Sequence, residues 1–167
     1  MAENYLASSQ VEEIGTDPKF VRVYNDSTVV LNGVVKLIVK KWITGIGVVN
    51  VMAAVATNDT VSNIVGIVNN PGTTGIAASK YGLVQVKGLY GSAAVGAAPL
   101  YGVTTSGTVA ANDYMEADNG QTYLSAHGTG SVMGGGVRVD ECCGIAVELL
   151  DTNTWSVYLL GELCAVA

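Results

Sequence analysis

Short apolar runs separated by turn residues make up most of the chain. FVRVY (20–24), STVVL (27–31), VVKLIV (34–39), VSNIVGIV (61–68), LVQVK (83–87), GIAVELL (144–150) and TWSVYLL (154–160) either alternate apolar and polar positions or are apolar throughout. Period-two alternation marks a strand with one buried face, and a short apolar run between turns fits a strand buried on both. Asn32-Gly33, between VVL and VVKLIV, reads as a two-residue hairpin turn. NNPG at 69–72 centres a turn on Pro71 and Gly72, and TSG (105–107), DNG (118–120) and DTNT (151–154) are further turns. Valine occurs 26 times, and β-branched side chains favour strands over helices. The pattern predicts an all-β domain, a compact sandwich or barrel-like fold, with at most one or two short helices near 75–81 or 110–115.

The stretch YGLVQVKGLYGSAAVGAAPLYGVTTSGTV (81–109) holds six glycines and one charge, Lys87. Val84 and Val86 alternate with Gln85 and Lys87, which a flexible Gly/Ser linker would not do. It reads as a β-meander: a strand ending at Gly88, a small-residue loop or short strand, a second strand at APLYGV, and a turn at Ser106-Gly107. Lys87, Pro99 and the glycines argue against a membrane span. WITGIGVVNVMAAVA (42–56) is too short for one at 15 residues, against about 20 needed.

Two regions break the pattern. Residues 1–19 carry four acids and Pro18 and few apolar positions; they read as an extended N-terminal arm ahead of a single β-rich domain at 20–167. Residues 112–136 hold three acids followed by GTGSVMGGG, and 112–140 read as a loop-rich insertion.

Hydrophobic residues are 49% of the chain and charged ones 13%, so it has the means to build a core and is not of disordered composition. So few charges leave apolar atoms to cover part of the surface, which favours an assembly over a free monomer. The net charge is −6, and no Lys or Arg occurs from Gly88 to Val137. That argues against nucleic-acid binding. The basic cluster Lys36, Lys40, Lys41 fits a guarded strand edge. The opening MAENYLASSQVEEIG lacks the basic and apolar regions of a signal peptide. With three cysteines, Cys142, Cys143 and Cys164, the chain cannot pair all its thiols, and buried thiols are expected.

Candidate chemistry is sparse. His127 lies in SAHGTGSV, whose His-Gly-Thr resembles the histidine motif of subtilisin-like proteases over three residues only; no matching serine motif follows. Ser125, Ser131 and Asp140 are close in sequence, but a triad needs a positioned nucleophile and an orienting carboxylate. A loop histidine held by Gly-rich turns is the expectation. Adjacent Cys142 and Cys143 point to opposite faces of a strand and would not share a metal ion. GTGSVMGGG lacks the lysine of a phosphate-binding loop. Asp113, Glu116 and Asp118 lack calcium-loop spacing and read as solvated loop acids. No enzyme activity, cofactor or metal is expected.

GLVQVKGLYGSAAVGAAPLYGVTTSGTVAA resembles the small head decoration, or cement, proteins of tailed bacteriophages. GIAVELLDTNTWSVYLL resembles their closing segment and VYNDSTVVLNGVVKLIV their opening strands, so the likeness spans 20–40 and 81–160. The resemblance implies a β-tulip-like homotrimer on the outer capsid surface of a virion assembled in the host cytoplasm. There it would bridge major capsid protein subunits, without nucleic-acid or membrane partners. It further implies a capsid-contact arm, for which Tyr5, Leu6, Val11, Ile14 and Phe20 are the candidate residues. Two other readings stand beside it. One is a receptor- or glycan-binding tail or fibre module, using Tyr90, Tyr101, Tyr114, Tyr123 or Trp155 as stacking surfaces. The other is a small hydrolase built on His127.

Overall fold

The computed structural model describes residues 18–54, 65–68, 75–117, 123–127 and 142–161. The chain forms ten strands: β1 (Lys19–Tyr24), β2 (Val34–Ile43), β3 (Gly47–Ala54), β4 (Val65–Val68), β5 (Tyr81–Tyr90), β6 (Val103–Ser106), β7 (Tyr114–Ala117), β8 (Leu124–Ala126), β9 (Gly144–Asp151) and β10 (Thr154–Leu160). No helical element occurs among the described residues, so the Ala-dense segments at 75–81 and 110–115 form turns and strand starts instead. The fold is all-β, as the alternation of apolar and polar positions predicts.

The strand pairings close on themselves twice. β1, β3, β2, β4 and β5 form a five-strand barrel, completed by the antiparallel β1–β5 ladder. β10, β6, β8, β7 and β9 form a second ring, completed by β10–β9. β5 and β10 join the two along Lys87–Tyr90 and Val157–Leu160. Closing a sheet removes the unpaired edges on which foreign strands add.

Each ring surrounds its own apolar cluster. Val23, Leu31, Val35, Met52, Val68, Ile76, Val84 and Val86 fill the barrel. Tyr90, Val103, Met115, Leu124, Cys143, Ala146, Trp155, Val157 and Leu159 fill the second ring. The second cluster also takes Val34 and Ile67, which face each other across β2 and β4. Their chain neighbours Val35 and Val68 belong to the barrel cluster. Successive strand residues point to opposite faces, so the β2–β4 wall is apolar on both sides because it separates two cores. The wholly apolar runs of the sequence fall here.

Several local expectations change. Asn32-Gly33 does not make a hairpin. Residues 27–30 are not in a strand, and Leu31 pairs with Ile76 rather than with β2. The cause is Asn25, which is fully buried. Its Nδ2 donates to Val29 O at 2.7 Å and to Ile76 O at 2.8 Å. Its Oδ1 accepts from Ser27 N and Ser27 Oγ. That network folds 25–31 into a compact loop, which brings Leu31 into the barrel core. Gly82 admits this plug, because a Cβ there would run into the Ile76 side chain.

Gly88 does not end β5. The strand continues to Tyr90 through a positive φ of 90° at Gly88, a conformation that suits glycine. Gln85 is buried in the same strand, and its Nε2 donates to Lys87 O and Leu89 O. The segment after β5 is a narrow, irregular hairpin held by Ser92–Tyr101 and Val95–Ala98 bridges. The stretch 112–140, expected to be loop-rich, supplies β7 and β8, two of the five strands of the second ring. The arm residues Tyr5, Leu6, Val11 and Ile14, and Cys164, lie outside the described residues.

Candidate functional site

The residues with the most chemical potential meet on the β7–β8 pair, on the face opposite the core residues Met115 and Leu124. β7 and β8 pair antiparallel with Glu116 opposite Ser125. His127 follows β8 directly, and its backbone N–H continues the ladder by donating to Tyr114 O. Its ring turns back so that Nδ1 lies 2.8 Å from Glu116 Oε2, with the imidazole 8% and the carboxylate 3% exposed. With the proton on Nδ1, the bond is charge-assisted and fixes the tautomer. His127 is therefore a buried, paired histidine rather than a loop histidine. Glu116 is a buried strand residue rather than a solvated loop acid.

The same geometry separates this cluster from a nucleophile–base pair. Ser125 Oγ and His127 Nε2 are both buried without a hydrogen-bond partner among the described residues. They therefore do not bond each other, whereas an activated serine sits within hydrogen-bond reach of its base. What the arrangement does is tie β7 to the turn after β8. Cys142 and Cys143 are also buried, and Cys143 Sγ–H donates to Met115 O at 3.3 Å. Among the described residues no group of three His, Cys, Asp or Glu is placed to hold a metal ion, and no helix is long and apolar enough to cross a membrane.

The accessible features lie on the barrel. Register places Lys40, Trp42, Val48 and Asn50 on one face of the β2–β3 hairpin. Register also places Phe20 and Arg22 of β1 with Leu83 of β5 on one face of that ladder. Between the two faces opens a cleft of about 290 Å³, lined by Arg22, Lys40, Val48, Val49, Asn50 and Tyr81. The Arg22 guanidinium lies 4.2 Å from the centroid of Tyr81, and Tyr81 packs edge-on against Tyr24. Asn50 Nδ2 donates to Arg22 O. Around the cleft, Trp42 is 69%, Val48 63% and Leu83 54% exposed. Lys40 and Lys41 are exposed too, and Lys41 is ion-paired with Asp26.

The second ring has exposed positions of its own. Val147, Glu148 and Leu149 are three consecutive exposed residues of β9, followed by exposed Asp151, and Tyr114 of β7 is exposed as well. The two halves differ in charge. Residues 18–90 contain seven Lys or Arg against two acids, Asp26 and Asp59. Residues 91–167 contain one, Arg138, against eight acids. A chain of net charge −6 thus has a basic first half, which supplies the barrel strands, and an acidic second half, which supplies the strands of the second ring.

The aromatic residues considered for stacking divide accordingly. Tyr90 and Trp155 are core residues, and Tyr101 packs edge-on against Tyr90 at 5.5 Å. Tyr114 is exposed. Phe20 is in β1, 40% exposed. Trp42, the most exposed aromatic side chain of the described residues, escaped the sequence reading because its neighbours form an apolar run that looks buried.

Comparison with protein-family models, with curated proteins and with solved structures returns no match.

Proposed function

We propose that the protein is a structural virion component. In this reading it decorates the outside of a phage capsid and stabilises the shell by bridging major capsid protein subunits. The observation that carries this reading is the pair of exposed apolar faces, Trp42, Val48 and Leu83 on the barrel and Val147 and Leu149 on the second ring. Apolar faces of this kind are contact surfaces in waiting, and a bridging protein needs more than one. With most strands enclosed in rings, contact must come through faces and through the N-terminal arm. An arm of Tyr5, Leu6, Val11 and Ile14, with Phe20 exposed at its base, suits strand addition to a capsid edge. Several weak contacts held at once give high avidity.

The reading as a glycan-binding module has less support. The ring of Tyr81 in the cleft is already stacked by Arg22 rather than offered to a sugar, and Tyr90 and Trp155 are interior.

The test is addition of the purified protein to expanded capsids that lack it. Binding and a raised shell melting temperature are expected. Removal of residues 1–17 should weaken binding at least tenfold while the β-sheet circular dichroism is kept. No binding by the full chain would overturn the proposal.

A further inference from the structure

The barrel cleft brings two cations together without a counter-charge. Arg22 and Lys40 both line it, and among the described residues neither has an ion-pair partner. The described residues from 18 to 90 include one acid, Asp26, and it is paired with Lys41. Like charges on one concave surface repel. An anion between them removes the repulsion and adds charge-assisted hydrogen bonds.

Arg22 is presented for such a contact. Its guanidinium lies 4.2 Å from the centroid of Tyr81, Tyr81 is braced edge-on by Tyr24, and Asn50 Nδ2 holds the Arg22 carbonyl. Stacking uses the flat face of a guanidinium, while its N–H donors lie in the plane and match the fork of a carboxylate.

The surround selects the kind of anion. Each cation shares its face with large exposed apolar side chains. Trp42 and Val48 stand with Lys40 in the β2–β3 register, and Phe20 and Leu83 stand with Arg22 in the β1–β5 register. A nucleic acid would leave those side chains uncovered, and two cations neutralise few phosphates. The cleft, at about 290 Å³, sits at the lower end of the roughly 300–1,000 Å³ that encloses a small molecule. Trp, Tyr and Arg are the residues that dominate contacts between proteins. We infer that the cleft binds an acidic peptide segment of a partner protein. An Asp or Glu carboxylate lies between Arg22 and Lys40, and apolar residues on either side of it cover Trp42 and Val48 at one end and Leu83 at the other. Residues two apart in an extended segment share a face, so the segment reads apolar–x–acid–x–apolar. The inference goes beyond the capsid reading and does not rest on it.

The test is an NMR titration of the full-length, nitrogen-15-labelled protein with the capped peptide Ser-Leu-Ser-Glu-Ser-Leu-Ser and its Gln counterpart. At 50 mM salt the Glu peptide should give saturable shifts at Arg22, Lys40, Val48, Asn50 and Tyr81. The Gln peptide should bind about tenfold more weakly, the scale of one charge-assisted hydrogen bond. The difference should shrink at 1 M salt, where screening shortens the reach of charge to about 3 Å. Arg22→Gln and Lys40→Gln should each weaken the Glu peptide about tenfold. Both side chains are exposed, so both variants should keep the fold. Equal affinity for the two peptides, or no saturable shift, would overturn the inference. So would acetate shifting the same residues at the same concentration, which would make the cleft a site for small anions, or displacement of the peptide by a short oligothymidylate. Removing residues 1–17, which hold Glu3, Glu12, Glu13 and Asp17, should leave the affinity unchanged. Binding seen only in the truncated chain would assign the cleft to the arm and overturn the inference of a partner.

Discussion

Glu116 and His127 share a 2.8 Å hydrogen bond between a buried carboxylate and a buried imidazole, and each is the other's means of tolerating burial. Removing one partner of such a pair strands the other, which costs about 3 kcal/mol or more. His127→Ala should therefore destabilise the fold by that amount in urea unfolding. Glu116→Gln keeps an acceptor for Nδ1–H and should cost about 1 kcal/mol. A double-mutant cycle on the pair should return a coupling of about 1–3 kcal/mol. Ser125 Oγ, buried without a partner among the described residues, gives the opposite expectation. Ser125→Ala should be neutral or stabilising, because a desolvated hydroxyl is removed at no loss of a bond.

Asn25 is the second buried polar centre. Its amide holds the carbonyls of Val29 and Ile76 and accepts two bonds from Ser27. Asn25→Ala should cost about 2–4 kcal/mol, since several net bonds of about 1 kcal/mol are lost and buried groups are left less satisfied. At about 2–4 °C per kcal/mol for a chain of this size, scanning calorimetry should show the melting temperature fall by roughly 5–15 °C. Asn25→Asp should be no better, because a carboxylate cannot donate to the two carbonyls.

The two cores share a wall, with Val34 and Ile67 on one side and Val35 and Val68 on the other. Opening either ring would expose a face of the other. The rings should therefore unfold together, in one calorimetric transition whose calorimetric and van't Hoff enthalpies agree. Leu31→Ala in the barrel and Leu124→Ala in the second ring should each cost about 2–5 kcal/mol. Each should lower that single transition without splitting it. Two resolved transitions would show the rings to be independent.

Tyr90 sets an alkaline limit. Burial, with Tyr101 beside it, pushes its phenol up to about 12. In the unfolded chain the proton leaves near 10. Between those values the unfolded state binds fewer protons than the folded state, so stability falls as pH rises through that window and is fully present below it. Absorbance titration of the phenolates should show one tyrosine lagging the others. Tyr90→Phe should abolish the lag and flatten the loss of stability between about pH 10 and 12.

Much of the strand framework was legible because period-two alternation is a local signal. FVRVY, VVKLIV, LVQVK, GIAVELL and TWSVYLL all lie in strands. Where the signal failed, a tertiary contact overrode a local one. Asn32-Gly33 has the chemistry of a hairpin, yet Asn25 reaches over it and diverts residues 25–31 to Ile76. LVQVK alternates as though Gln85 met water. The residue is buried because β5 also packs against the second ring, and its amide is satisfied by Lys87 O and Leu89 O. Glu116 and His127 stand eleven residues apart across a segment with no periodicity, so only the β7–β8 register brings them together.

By itself, then, the sequence determined the class of the fold, the position of most strands and the unequal charge of its two halves. These depend on side-chain alternation and residue identity, both of which act locally. Tertiary structure decided that the strands close into two rings rather than one sandwich, and that the β2–β4 wall serves both cores. It also decided that Glu116 and His127 meet as a buried pair. Those outcomes depend on pairing between strands distant in sequence, where register selects the neighbours, and no local pattern encodes that choice.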